Sequence, residues 1–301
     1  MTHAKTSCPS CESKATVCLG KIRNGIGIIR LTDSGKLYRC RVCSLVFRHP
    51  FLSSSELIQQ YSLTPPNLWQ REESPDFKLA AQAIRNTFPS GRILDIGCFR
   101  GDFLWMLPSR YEKYGVEPSH MAREFLTKRN IKLVGRTVDQ IEFEKPMFHV
   151  ITLLDLIEHL PHPLASLRKA RKLLLPGGLF IISTGNTDAL PWRLMQLDYW
   201  YYFTEHVSFF NRKWFRWAAK QLDLKIIASE RFSHFKGTNI ERWTQIVRCV
   251  LYRIMKHGKG ESRVRELMAR IYPFRNAANY SSPPSAHLWR DHIFLVFRSE
   301  S

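Results

Sequence analysis

The stretch RILDIGCFRGDFL, residues 92–104, decides the fold. An apolar run of strand length, Arg92 to Ile96, ends in an acid and a glycine and leads into a second glycine and an apolar pattern of helical type. Glycines of this kind let backbone approach a ligand closely. The stretch fails the G-x-G-x-x-G dinucleotide pattern and has no G-K-[ST] of a phosphate loop. What remains is Asp95, two residues before Gly97, with Gly101 opening a helix and Phe99 standing between the glycines. About 20 residues on, Glu117 ends the next strand, where a carboxylate can accept the two hydroxyls of a ribose. The alternative is a tight strand–helix turn with a surface glutamate.

Working outward, YGVEPS (114–119), HVITLLDL (149–156) and GGLFIIST (177–184) read as further strands. SHMAREFLTKRN and PLASLRKARKLLL read as the helices between them, and NRKWFRWAAKQL as a later helix. LKIIASERF (224–232) and DHIFLVFR (291–298) read as the last two strands. Alternating strands and helices predict an α/β fold with a parallel sheet covered on both faces. Upstream, SSSELIQQYS and PDFKLAAQAIRNTF read as two helices.

Together ILDIGCFRGDFL, YGVEPS, HVITLLDLIEHLPHPL and LLLPGGLFIIST resemble, in order and spacing, the class I S-adenosylmethionine-dependent methyltransferases, from residue 91 to about 230. The resemblance implies a Rossmann-like seven-stranded sheet with an antiparallel last strand, for which DHIFLVFR is suited. It implies that Asp95, Gly97, Cys98 and Gly101 line the methionine end of S-adenosylmethionine and that Glu117 holds the ribose. Pro118 and Ser119 would flank the adenine, Asp139 would face its amino group beside Gln140, and Leu154 and Asp155 would border the sulfonium and the substrate. Phe99 departs from the glycine common at its position, which leaves the shape of the methionine pocket open.

Four of the seven cysteines form two C-x-x-C pairs, Cys8/Cys11 and Cys40/Cys43. That spacing suits a tetrahedral, structural Zn²⁺ site. GIGIIRL and LYRC read as short strands around the turn TDSG, and Cys18 reads as a core residue. The segment LYRCRVCSLVFRHPFLSSSELIQQYS resembles the N-terminal zinc ribbon of bacterial methyltransferases associated with sugar and surface-polysaccharide pathways. The expected organisation is a zinc ribbon over 1–50, linker and helices over 51–90, a methyltransferase domain over 91–237 plus 287–301, and a basic helical insertion over 238–286.

Methyl transfer to a hydroxyl or amine needs a proton acceptor. The candidates are His206, in DYWYYFTEH, and His159, in IEHL. Tyr199, Trp200, Tyr201 and Tyr202 can stack on a sugar or base, or simply pack as a lid. Asp155, Glu158 and His159 resemble an acid–acid–His set that ubiquinone-pathway O-methyltransferases link to a divalent cation. Two carboxylates and an imidazole can hold Mg²⁺ loosely.

The chain has 301 residues and a formal charge of +19, which suits an anionic partner or a merely solvated basic face. No apolar run reaches the roughly 18–20 residues of a bilayer span. MTHAKTSCPS carries no apolar signal segment, so the expected location is cytoplasmic, with a peripheral place at the inner membrane surface as a variant. The acceptor expected is a small molecule: a sugar, a nucleotide-sugar or a lipid-linked sugar. An RNA acceptor is the alternative, since a zinc module ahead of this fold also resembles certain ribosomal-RNA guanine methyltransferases. A ubiquinone-type O-methyltransferase and a non-catalytic scaffold complete the alternatives. In ERWTQIVRCVLYRIMKH, Trp243, Ile246, Val247, Val250, Leu251 and Ile254 fall at helical spacing with Arg242, Arg248, Arg253 and Lys256 interleaved. Such a helix packs on the domain or lies on an anionic membrane surface.

Overall fold

The computed structural model describes residues 6–22, 35–62, 74–257 (without 142 and 144), 270, 283–284 and 286–300. GIGIIRL, most of TDSG and the later part of the expected insertion lie outside these residues.

The N-terminal part forms β1 (Thr16–Lys21), β2 (Lys36–Cys40) and β3 (Val46–His49), an antiparallel meander. The helices α1 (Ser54–Ser62) and α2 (Pro75–Thr87) follow. Pro75 at the first turn of α2 suits a position whose N–H would have no helical partner. Then come β4 (Gly91–Ile96), the single-turn α3 (Asp102–Trp105), β5 (Tyr111–Val116), α4 (Arg123–Lys128) and β6 (Lys132–Gly135). The second half runs β7 (Phe148–Leu154), α5 (Pro163–Arg171), β8 (Leu174–Gly185), α6 (Leu190–Met195) and β9 (Ser208–Phe209). It ends with α7 (Arg212–Gln221), β10 (Leu224–Phe232), α8 (Asn239–His257) and β11 (His292–Ser299).

Seven strands make one sheet in the order β10-β11-β8-β7-β4-β5-β6. β4, β5, β6, β7 and β8 are mutually parallel, and β11 runs antiparallel to both β8 and β10. The fold is therefore the expected Rossmann-like sheet with its last strand antiparallel. The central strands β4 and β7 are near-continuous apolar runs because helices cover both faces. From β4 the chain builds outward through β5 to β6, then returns to place β7 on the other side of β4. That reversal opens a crevice beyond the carboxyl ends of β4 and β7, where open α/β sheets bind ligands.

One reading changes here. Cys18 sits on β1 and is exposed, because β1 is an edge strand whose middle faces solvent. α2 is one of the helices read over 51–90, and it packs on the sheet. Its Phe77, Ala80, Ala81 and Ile84 are buried in the cluster that also holds Ile93, Val150 and Ile181 of the sheet.

The N-terminal meander shares its packing with the large domain. β3 pairs with β9, so a strand of the large domain completes the small sheet. Cys8, Cys40, Cys43, Leu45 and Phe47 join the same buried cluster as Phe210, Trp214 and Leu153. Asn211, the N-cap of α7, accepts from the Trp214 N–H at 2.8 Å and donates to the Ser44 carbonyl at 2.8 Å. Trp214 Nε1 donates to Ser10 Oγ at 3.0 Å. One asparagine thus starts a helix and ties it to the second cysteine turn. Among the described residues, no helix is long and apolar enough to cross a membrane.

Candidate active site and cysteine cluster

A cavity of about 730 Å³ lies at the crevice. Its first wall is the turn after β4. The backbone is left-handed at Gly97 (φ 76°), Phe99 (φ 46°) and Gly101 (φ 74°). A side chain is strained in that region, so Phe99 stands where glycine would fit without cost. Phe99 holds the conformation with its own N–H, which donates to Glu117 Oε2 at 2.8 Å. Ser119 N–H donates to the other carboxylate oxygen at 2.8 Å. Glu117 therefore ties the β4 turn to the β5 turn, and burial pushes its carboxyl up to about 7 against those two bonds.

Asp95, Gly97, Cys98, Glu117, Pro118, Leu154 and Asp155 all line this cavity, as do Phe99 and Leu156. Gly101 stands behind it, packed so closely on Ile131 that a Cβ would come within 2.3 Å of the isoleucine Cδ1. Asp139 and Gln140 are not brought to it. Both are exposed on the turn after β6: Asp139 pairs with Lys169, and Gln140 Oε1 accepts from the Arg136 N–H. In this structure each meets a surface partner, and their expected place beside an adenine remains an expectation.

Asp95 is fully enclosed and accepts from Thr152 Oγ1 at 2.6 Å. Burial, with the nearby Asp76 and Glu117 charges, pushes it up to about 7. Its folded pKa exceeds the unfolded value of about 3.9. Its contribution is therefore favourable below about pH 4 and is lost as pH rises through about 7. Asp95→Asn, without ligand, should raise stability at pH 8 by on the order of 2–4 kcal/mol and change it little at pH 4. Thermal unfolding across that range measures it, and an asparagine variant less stable than the parent at pH 8 contradicts this assignment.

The second half of the cavity is built from imidazoles, carboxylates and aromatic rings. His206 is buried, and its Nδ1 lies 2.9 Å from the Tyr201 carbonyl. A carbonyl only accepts, so Nδ1 carries the proton and Nε2 keeps a lone pair. Burial, with His159 beside it, drives the His206 pKa well below its usual value, so the ring is neutral. His159 stands edge-on to it at 4.6 Å, its Nδ1 2.6 Å from the Tyr61 hydroxyl. Glu158 accepts from Thr184 Oγ1 at 2.8 Å and from the Tyr201 hydroxyl. Burial and the Asp155 charge push it up to about 7.

Asp155, left-handed at φ 49°, pairs with His234 Nε2 at 2.8 Å. His292 stacks edge-on to His234 at 4.5 Å and bonds Asp291 at 2.9 Å. Burial works against a charge on His292, but Asp291, Asp155 and Glu158 outweigh it and hold the ring up to about 9. The acid–acid–His set expected for Mg²⁺ is divided. Asp155 groups with His234 and His292, and Glu158 with His159 and His206. His234, His292, Ser74 and Asp76 escaped the sequence reading. The one available signal was the Asp291–His292 pair opening the last strand, which the sheet order sets beside the end of β8.

Of the four aromatics 199–202, Trp200 and Tyr201 line the cavity, while Tyr199 and Tyr202 pack around Trp192. The segment is held from below by Arg48. This fully buried β3 residue donates to the carbonyls of Tyr202, Phe203 and His206 at 2.8–3.1 Å. The small sheet thus sets the position of the cavity roof.

The four paired cysteines converge as expected, with all four Sγ atoms within 4.8 Å of one another. Cys8–Cys43 and Cys11–Cys40 stand at 3.5 Å. A tetrahedron with Zn–S bonds of about 2.3 Å has edges of about 3.8 Å. The residue after each pair, Glu12 and Ser44, is left-handed, which turns both thiols to one point. The Val42 N–H also donates to Cys40 Sγ. Cys8 is lowered to about 6, chiefly by its bond from Cys43, while burial raises Cys11 to about 12. Crowded thiols of this kind ionise together only around a cation, so the donor set fits a divalent metal.

This fold, with a ligand crevice at the switch point and buried acids on both β-turns, defines a nucleotide-cofactor α/β protein. A methyltransferase domain model matches residues 69–229, more than half of the chain. The chain belongs to this methyltransferase domain family. Over 112 residues it is 30% identical to a ubiquinone biosynthesis O-methyltransferase of Xanthomonas campestris, a match covering 35% of this chain and 47% of that protein. The chain thus spans about half the length of the curated relatives it matches. The YcgJ protein of Bacillus subtilis is structurally similar at TM-score 0.49 and 13% identity, over 75% of this chain and 98% of that one. The N-methyltransferase NodS of Bradyrhizobium japonicum, solved with S-adenosyl-L-homocysteine, gives 0.46 and 12%, over 82% and 98%.

Proposed function

We propose that the chain transfers a methyl group from S-adenosylmethionine to a hydroxyl of a small molecule, with His206 as general base. The observation that carries this is the neutral, buried His206, its Nε2 lone pair free and its ring lining the same cavity as the β4 and β5 turns. The residues fit the cofactor. Asp95 and Glu117 are enclosed carboxylates lining the cavity, suited to an ammonium and to ribose hydroxyls, and Ser119 Oγ beside Glu117 is buried without a hydrogen-bond partner. Leu154 and Asp155 would border the reacting methyl, and Pro118 the adenine.

The cofactor supplies an electrophilic methyl when bound. The protein's part is to align the acceptor in line with it and remove the acceptor's proton. His206 Nε2 takes that proton. The Tyr201 carbonyl, bonded to Nδ1–H, fixes the tautomer and favours the imidazolium that forms. The Tyr201 hydroxyl also donates to Glu158, so the base and the buried acid are oriented by one residue, through its carbonyl and its side chain. His159 is the second basic nitrogen within reach, held by Tyr61. Trp200, Tyr201 and Phe203 offer ring faces to a sugar or another flat acceptor. A sugar-type acceptor is the first reading. An acceptor of the ubiquinone-biosynthesis kind, tested with phenolic hydroxyls, is the second, supported by the 30% identity over 112 residues to an O-methyltransferase of that pathway. The four thiols would hold one structural zinc, away from the chemistry.

Calorimetry with S-adenosylhomocysteine tests the cofactor half. The parent should bind, and Glu117→Ala should weaken binding by at least tenfold, since hydrogen bonds to a charged group are worth about 1.5–3 kcal/mol. Unchanged affinity in that variant rejects Glu117 as the ribose ligand. Assaying methyl transfer to panels of sugar and phenolic hydroxyls then separates the two acceptor readings.

A further inference from the structure

A second cavity, of about 490 Å³, lies outside the histidine site. Arg193, Arg231, Arg242 and Arg290 line it, with Trp243 and Trp289 packed edge-on at 4.7 Å. Among the described residues, none of the four guanidinium groups has a carboxylate partner. The one acid in the wall, Asp188, accepts the backbone N–H of Arg212. Four like charges around one hollow repel each other, and Asp188 alone among the lining residues carries a counter-charge, which leaves an excess of positive charge. Arg290 is moreover held in the left-handed region at φ 45°, a strained conformation for an arginine.

The two cavities are neighbours. Arg231 precedes Phe232, which pairs with His292 across β10 and β11. Trp289 and Arg290 line the arginine cavity, and His292, two residues further, lines the histidine cavity. Asn186 N–H bonds the Asp291 carbonyl at 2.8 Å, which holds this dividing segment to the end of β8.

We propose that the arginine cavity binds a diphosphate group, which on the methyl-transfer reading above belongs to the acceptor. Several guanidinium forks match the oxygens of a diphosphate bidentately, whereas a single phosphate would leave some of them unpaired. The paired tryptophans give an apolar wall for whatever the diphosphate carries. The acceptor's charged end is then fixed at the cavity that adjoins the histidine site along the 289–292 segment.

The diphosphate can come from a soluble nucleoside diphosphate carrier or from a lipid diphosphate at a membrane. The second source draws on α8, where Ile240, Trp243, Val247, Val250 and Ile254 form an exposed stripe beside the cavity. Among the described residues, Ile246, Cys249 and Tyr252 of that helix are buried, so the apolar pattern in its sequence splits between two faces.

Calorimetry on the full chain with inorganic pyrophosphate, then uridine diphosphate, tests the site. Arg231→Gln and Arg290→Gln should each weaken pyrophosphate by roughly tenfold or more, leave S-adenosylhomocysteine affinity unchanged, and reduce the salt dependence of pyrophosphate binding. Arg231→Lys should fall between parent and glutamine variant, because it keeps the charge and loses the fork. Equal pyrophosphate affinity in parent and variants overturns the proposal. A parallel loss of both ligands also overturns it, since the arginines would then be structural. Tighter binding of uridine diphosphate than of pyrophosphate identifies a soluble carrier. Arginine-dependent co-sedimentation with phosphatidylcholine vesicles carrying a polyprenyl diphosphate, beyond that with the same vesicles carrying phosphatidic acid, identifies the lipid source. If the parent binds pyrophosphate but not S-adenosylhomocysteine, the methyl-transfer reading fails while the diphosphate site stands.

Discussion

Replacing His206 with asparagine is expected to lower kcat by roughly 10²–10⁴, the range that a positioned general base contributes. Asparagine keeps a donor near the Nδ1 position, so the bond to the Tyr201 carbonyl survives and the cavity roof stays in place. What it removes is the Nε2 lone pair. S-adenosylhomocysteine affinity should not change, because the residues assigned to the cofactor lie on the β4, β5 and β7 turns. The loss should therefore fall on kcat and kcat/KM together, the pattern of an interaction made in the transition state. In the parent, His206 remains neutral to well below its ordinary pKa. Its protonation therefore produces no loss of activity near pH 6.5, and any acid limb it causes lies lower. An asparagine variant with parental kcat would remove His206 from the mechanism, and the same substitution at His159 then becomes the informative one.

The elements legible in the sequence were those whose signal is local. β4, β5, β7 and β8 announce themselves as buried apolar runs, and the cysteine pairs by their spacing. β6 and β9, with four and two residues, are too short to show a period. The turn glycines and Glu117 were readable because the backbone itself demands them. The histidine half of the cavity was legible only through His159, His206 and their neighbours in sequence. Ser74, His234 and His292 come from the N-cap of α2, the segment after β10 and the start of β11, and the placing of β11 between β8 and β10 brings them to the cavity. Arg48 was hidden for a similar reason. A charged residue inside a short strand reads as a solvent-facing position, yet its partners are carbonyls more than 150 residues away. Asp139 stands outside the residues that line the cavity, paired with Lys169 at the surface, because position after a strand does not say which way a turn points.

Arg48 also makes the cysteine cluster matter for activity. One zinc per chain is expected on metal analysis, and Cys40→Ser should abolish it, since the remaining three thiolates cannot close a tetrahedron. For small metal-organised modules the binding energy of the ion is folding energy, about 10–16 kcal/mol in isolated zinc-finger peptides. The module here has few alternatives: its described strands are four to six residues long, and its buried cluster includes the cysteines themselves. Losing the ion should therefore unfold β1 to β3 while the seven-stranded sheet survives on its own core. With β3 goes its pairing to β9, and with Arg48 go the bonds to the carbonyls of Tyr202, Phe203 and His206. His206 then loses its fixed position, although its own side chain is untouched. The expected result is a protein that still binds S-adenosylhomocysteine but whose kcat falls towards that of His206→Asn. Arg48→Met should reproduce part of that loss with the zinc content intact, which separates the anchoring of the roof from the metal. Full activity in zinc-free Cys40→Ser protein would show that the small sheet does not hold the base, and that the roof is ordered by the packing of Trp192 and Tyr199 alone.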